Sequence, residues 1–121
     1  MKLSLETRNC GSVVVVHCQG RIVYRDEATE LSRVVGEILD QSGRVVLDLS
    51  GVSAIDSAGI GELVFLHTWA QGRKAELKCA GASAFVSNLL HLTNLDSVLD
   101  VHPSLCEALA AFQPGAVCAE C

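Results

Sequence analysis

Basic residues are in short supply. The chain of 121 residues carries 9 Lys and Arg against 14 Asp and Glu, a formal net charge of −5. Binding to a nucleic-acid backbone needs a basic footprint, so nucleic acid is excluded as a partner held by its phosphates. The same balance excludes attraction to an anionic membrane surface. Apolar length is lacking as well. The longest early apolar run, Val13 to Val16, is far too short to cross a bilayer, so no direct membrane insertion is expected. The opening residues MKLSLETRNC have no apolar stretch of the signal-peptide kind, and the expected location is cytoplasmic. Internal repeats and linkers are also missing. What remains is 50% hydrophobic and 19% charged, the composition of one packed domain with a real core.

Cysteine is the exception to this scarcity. Six stand at 10, 18, 79, 106, 118 and 121 without a regular framework. In a chain without an export signal they are expected to be reduced. Cys18 and Cys79 fall in apolar strand-like runs, where a free thiol acts as a small hydrophobe. Cys118-Ala-Glu-Cys121 is a C-x-x-C without the second pair that a four-ligand metal site needs. It ends the chain instead of opening a helix in a packed βαβ unit, as a redox pair does. No metal and no cofactor is expected.

Residues 3–10 and 13–19 read as two strands joined by the turn signal Asn9-Cys10-Gly11-Ser12. Over 27–39 the period is helical, with Leu31, Val34, Val35 and Ile38 on one face. The charges at 26, 27, 30, 33 and 37 form its solvated side. The Val/Leu run at 44–49 predicts a strand buried on both faces. A helix follows from Ala58 to about Ala70, then a strand at 75–80. A further helix is capped by Ser83, with Phe85, Val86, Leu89 and Leu90 inward. A short strand at 97–101 precedes a last helix opened by Pro103, its apolar face Leu105, Leu109 and Phe112. The order β-β-α-β-α-β-α-β-α predicts a single α/β domain over 1–113. Its mixed, mostly parallel sheet has an N-terminal antiparallel hairpin and about four helices packed on it. QPGAVCAEC, at the end, has no helical pattern and reads as a flexible tail over 114–121.

One stretch breaks the pattern. In AIDSAGIGELVFLHTW, residues 54–69, an acid, a hydroxyl and two glycines interrupt what should be core. Asp56 and Ser57 fall at the carboxyl end of a strand, where open α/β sheets meet ligands and partners. Either can cap the helix that follows, since its first N–H groups have no intrahelical acceptor. Gly59 and Gly61 lie in the first two turns, where each costs about 1 kcal/mol relative to alanine. They suit a close approach, either of a partner or of the helix to its own sheet. A helix N-terminus also favours negative charge, so a phosphate placed on Ser57 would be held there. A hydrolytic serine is disfavoured: the elbow G-x-S-x-G fails at Ile55, and no histidine is placed against Ser57 by the sequence.

VVLDLSGVSAIDSAGIGEL, residues 45–63, resembles the core motif of STAS domains, specifically the bacterial anti-sigma factor antagonists. The resemblance covers roughly residues 3–112. Ser57 falls on the family's phosphorylatable serine, and Asp56, Gly59, Ile60 and Gly61 match its neighbours. Gly20 matches the glycine that ends the second strand. Two positions depart from the pattern: Val23 stands where an aspartate is frequent, and Ala58 where a serine or threonine is usual.

The resemblance implies a non-enzymatic regulator of sigma-factor-dependent transcription. Unphosphorylated, it would bind an anti-sigma factor with serine-kinase activity. Phosphorylation at Ser57 would switch it off, and a serine phosphatase would restore it. The implied contact residues are Asp56, Ser57, Ala58, Gly59, Ile60 and Gly61, on a monomer or weak dimer, with no catalytic residue. A scaffolding STAS module without a phosphoswitch, in a stress-signalling assembly or a lipid transporter, is the first alternative. A small serine hydrolase is the second.

Overall fold

The two faces of the sheet are covered unequally, and this places the site. The computed structural model describes residues 3–112, the side chains of Tyr24 and Arg25 excepted. The expected tail, with Cys118 and Cys121, lies outside the described residues. The strands are β1 (Ser4–Cys10), β2 (Val13–Ile22), β3 (Arg44–Ile55), β4 (Glu76–Ala80) and β5 (Val101–His102). The helices are α1 (Tyr24–Gln41), α2 (Ser57–Gly72), α3 (Ala84–Leu92) and α4 (Leu105–Phe112). A single 3-10 turn, Leu95–Ser97, precedes β5. The sheet order is β1-β2-β3-β4-β5, with β1 antiparallel to β2 and the other pairs parallel. Gly11, at φ 62°, makes the tight turn between β1 and β2.

On one face α1, α2 and α3 bury Leu31, Val35, Leu63, Leu66, Val86 and Leu90 against Val16, Cys18, Leu47 and Leu49. On the other, α4 alone seats Ala108 and Leu109 on Val13, Val15, Val46 and Ala80. Side chains of this size each contribute about 1.5–3 kcal/mol on full burial.

Several sequence boundaries are corrected. β3 runs six residues past the expected 49, through Ser50, Gly51 and Ser53. It does so by bulging. His17 faces Asp48 but Gln19 faces Gly51, and Gly20 faces Val52 but Arg21 faces Ala54. Twice, β3 spends one more residue than β2. Each extra residue bends the strand and interrupts its alternation, so the stretch imitates a loop. α1 begins at Tyr24 and α2 at Ser57, a turn and a residue earlier than the patterns indicate. Phe85 points outward at 60% exposure, not into the core. The 97–101 strand is reduced to Val101–His102, and Leu95–Ser97 is a 3-10 turn. Pro103 does not open α4. Ser104 does: its Oγ accepts from the Glu107 N–H at 3.2 Å and its carbonyl from Ala108.

The cysteines divide. Cys18 and Cys79 are free and buried, as expected. Burial pushes both thiols up to about 12, helped at Cys18 by Cys79 and Asp48 and at Cys79 by Asp100. Cys10 and Cys106 are disulfide-bonded, which corrects the expectation that all six are reduced. Cys10 ends β1 beside the α4-side cluster and Cys106 lies exposed on α4.

Candidate functional site

β3 carries the chain up to Ile55, and Asp56 turns it into α2. The Asp56 N–H donates to the Ile22 carbonyl at 3.3 Å, tying the turn to the end of β2. The Ser53 hydroxyl donates to the Gly20 carbonyl at 3.2 Å and fixes the same two strand ends. Asp56 itself is extended, at φ −113° and ψ −172°, as an N-cap residue must be. Its Oδ1 accepts the Gly59 N–H at 3.0 Å, and its carbonyl accepts the Ile60 N–H. Asp56 is therefore the cap. Ser57 is the first helical residue, exposed, and its hydroxyl is not needed for capping.

The two glycines have different duties. Gly59 is buried, and a Cβ there would stand 2.4 Å from the Ile22 carbonyl oxygen and 2.7 Å from Ile55. Only a glycine lets the first turn of α2 lie this close to the sheet. Gly61 is exposed, with nothing within 4 Å of an added Cβ. Of the six sequence-expected contact residues, Ser57 and Gly61 are exposed, Asp56, Ala58 and Ile60 half-buried, and Gly59 buried. Ser57 thus presents itself on a surface, one turn from an open glycine.

The local field suits an added anion. α2 has no acidic residue in its first turn apart from its cap, and its free N–H groups point past Ser57. The one charged side chain of α2, Glu62, turns toward α1 and accepts a hydrogen bond from Ser32. Asp26 is exposed in the first turn of α1.

The sequence reading missed a second polar cluster on the α4 side of the sheet. His17 Nδ1 lies 2.7 Å from Asp48 Oδ2, and Asp48 Oδ1 accepts the Ser50 N–H at 3.1 Å. A hollow of about 300 Å³ lies above them, lined also by Glu6, Arg8 and Gln19. Asp48 is buried, and its two oxygens pin the strand on either side of the first bulge of β3. The signal was an aspartate interrupting the Val/Leu run RVVLDL. At the far edge Lys78, a buried cation, pairs with Asp100. His102 Nε2 is 2.9 Å from the other Asp100 oxygen but off the hydrogen-bond direction. None of these groups serves Ser57. Among the described residues no three His, Cys, Asp or Glu converge on a metal position. Nor is any described helix long and apolar enough to cross a membrane.

This arrangement belongs to a known family. The STAS domain model matches residues 4–108, and the chain belongs to that family. Solved structures share the fold at low identity. An anti-sigma factor antagonist from Mycobacterium paratuberculosis is 24% identical at a TM-score of 0.78, covering 91% of this chain and 93% of its own. SpoIIAA in its unphosphorylated form is 14% identical at 0.71, covering 92% and 96%. The phosphorylated form of SpoIIAA from Bacillus is 13% identical at 0.66, covering 92% and 99%.

Proposed function

We propose that this chain is an anti-sigma factor antagonist whose state is set at Ser57. Unphosphorylated, it binds an anti-sigma factor that is also a serine kinase, and so frees a sigma factor for transcription. The kinase transfers the γ-phosphoryl of its own ATP to the Ser57 hydroxyl, and the complex separates. A serine phosphatase reverses the modification. This chain supplies the acceptor and the surface, and catalyses neither step.

One observation carries the reading: Ser57 is an exposed helix-opening serine whose capping duty is performed by Asp56. A phosphate there adds about −1.5 to −2 charges. The N-terminus of α2 tolerates them, so the fold persists. A close contact does not tolerate them, because the phosphate must shed water next to the Asp56 carboxylate. The solved forms of SpoIIAA, phosphorylated and not, agree with such a cycle in a chain of this fold.

The test is a pull-down from native cell extract with wild type, Ser57→Ala and Ser57→Asp. Phosphosite mapping follows after incubation with the captured kinase and ATP. Ser57→Ala should bind and stay unmodified. Ser57→Asp should bind at least about tenfold more weakly, ~1.4 kcal/mol. The phosphate should sit on Ser57, not on Ser50 or Ser53. Phosphate elsewhere, or wild-type binding by Ser57→Asp, would leave a scaffolding STAS module as the better account.

A further inference from the structure

Cys10 and Cys106 are disulfide-bonded, and both open on the α4 side of the sheet. Cys10 packs against the cluster under α4, and Cys106 is exposed in the first turn of α4. They do not lie close together. One row of residues crosses the sheet through Glu6, His17, Asp48, Ala80 and His102. Cys10 stands four residues from Glu6 along β1, about 13 Å from that row. β1 and β5 are opposite edges, four strand spacings or about 19 Å apart. Cys10 is therefore about 23 Å from His102. Cys106 follows His102 by four residues, which span at most about 14 Å, and less here because Leu105 begins α4. At least about 9 Å then separates Cys10 from Cys106, whereas the two Cα atoms of a disulfide lie within about 7 Å. They are not bonded to each other. Cys18 and Cys79 are free. Of the six cysteines, Cys118 and Cys121 remain.

We infer that residues 113–121 form a strap across the α4 side of the sheet, with Cys118 and Cys121 fastened one to Cys10 and the other to Cys106, and that reduction releases it. The lengths agree. α4 ends over β4, where Lys78 Nζ lies 4.7 Å from the Phe112 ring. From Phe112 to Cys118 the chain reaches as far as about 20 Å. β1 is three strand spacings from β4, about 14 Å. The path crosses β3 and β2 beside the polar hollow of Glu6, His17 and Asp48. The C-x-x-C spacing fits two separate partners, since its Cα atoms stand up to about 10 Å apart. One thiol meets the hairpin end while the other turns back to α4. The bonds form by thiol–disulfide exchange with a low-molecular-weight disulfide. One protein thiolate displaces a small thiol, and a second protein thiolate displaces the other. For each bond two protein thiols are oxidised, and one small disulfide is reduced to two thiols, which take up the two protons. A dithiol reductant reverses the step. Cys18 and Cys79 take no part, because burial leaves almost no thiolate on either. The strap lies on the sheet face opposite α2, so it stands or falls separately from Ser57.

The full chain is equilibrated with oxidised glutathione or with a dithiol reductant, and free thiols are then blocked with a maleimide in denaturant. Cleavage after Lys, Arg and Glu puts Cys10, Cys106, Cys118 and Cys121 on four different peptides. In the oxidised sample only Cys18 and Cys79 should be blocked. Cys10 should be joined to one of the two tail peptides and Cys106 to the other. The oxidised protein should melt at least about 5 °C above the reduced one. The double variant Cys118→Ser, Cys121→Ser should fold and lose that difference. A Cys10–Cys106 bond, a Cys118–Cys121 bond, or bonds only between two copies on a non-reducing gel would overturn the strap. So would six blocked cysteines after oxidised glutathione, or a double variant that keeps the full difference in melting temperature.

Discussion

At the scale of single residues, Gly59 and Gly61 are the sharpest contrast. The sequence makes them look equivalent, two glycines in the first two turns of a helix. What separates them is helix phase: Gly59 turns toward the Ile22 carbonyl and Gly61 turns away from it. That phase depends on where α2 starts, and the cap at Asp56 sets the start. Gly59→Ala should destabilise the fold by about 1–3 kcal/mol, because a backbone oxygen cannot move aside as a flexible side chain can. Gly61→Ala should stabilise it by about 0.5–1 kcal/mol through helix propensity alone. Urea denaturation of the two variants decides the matter, and equal effects would show that the close approach at Gly59 is wrong. The site was legible as far as Asp56 and Ser57, since residue type and position suffice for a capped, serine-bearing strand end. Which of the two was the cap depended on backbone conformation, which no residue type announces.

At the scale of elements, β3 and β5 show where sequence patterns fail. β3 looks as if it ends at Leu49, because bulges put Ser50, Gly51 and Ser53 where alternation demands apolar residues. The element is held by groups that a pattern cannot pair: Asp48 with His17, and with the Ser50 N–H. Asp48→Ala strips a buried acceptor from both donors and should cost about 1–3 kcal/mol in chemical denaturation. A change below about 0.3 kcal/mol would show that the bulge needs no such pin. β5 is too short for periodicity to reveal, and Lys78 and Asp100 hold it to β4. Burial works against the Asp100 charge, but the hydrogen bond and charge of Lys78, with His102 beside it, hold the carboxyl below its ordinary 3.8. A lowered folded value means that this pair stabilises the fold above the ordinary carboxylate range. That stability is lost as pH falls through the lowered value. Asp100→Asn should be less stable than wild type at neutral pH by about 1 kcal/mol. The gap should narrow as pH falls below the ordinary carboxylate value and vanish below the lowered one. A gap that persists in acid would mean that the aspartate acts through packing and not through charge.

At the scale of the whole molecule, the order of elements and the antiparallel start were readable. Strand and helix periods differ, and parallel strands need helical crossovers. The family follows from the polar break, which is conspicuous because its surroundings are so apolar. The disulfide bonding of Cys10 and of Cys106 was not readable, since the pairing of distant cysteines leaves no trace in local pattern. Cys18 and Cys79 were, and their burial has a chemical consequence. With thiols pushed up to about 12, almost no thiolate exists at neutral pH. A thiol reagent should leave both unlabelled in the native protein, and label both at a rate that follows global unfolding in rising urea. Fast labelling of either one below the unfolding transition would reveal a local opening of β2 or β4.

The sheet's two outer strands are unlike each other. β5 offers two residues, too few to template another chain. β1 offers seven, largely exposed, and among the described strands it pairs with β2 alone. Such a rim is an invitation to amyloid-like growth. Here Glu6 and Arg8 interrupt it as an ion-paired couple, and charges on an edge act as gatekeepers. These two exposed side chains contribute little to folding. Their charges work against edge-to-edge pairing of one copy with another.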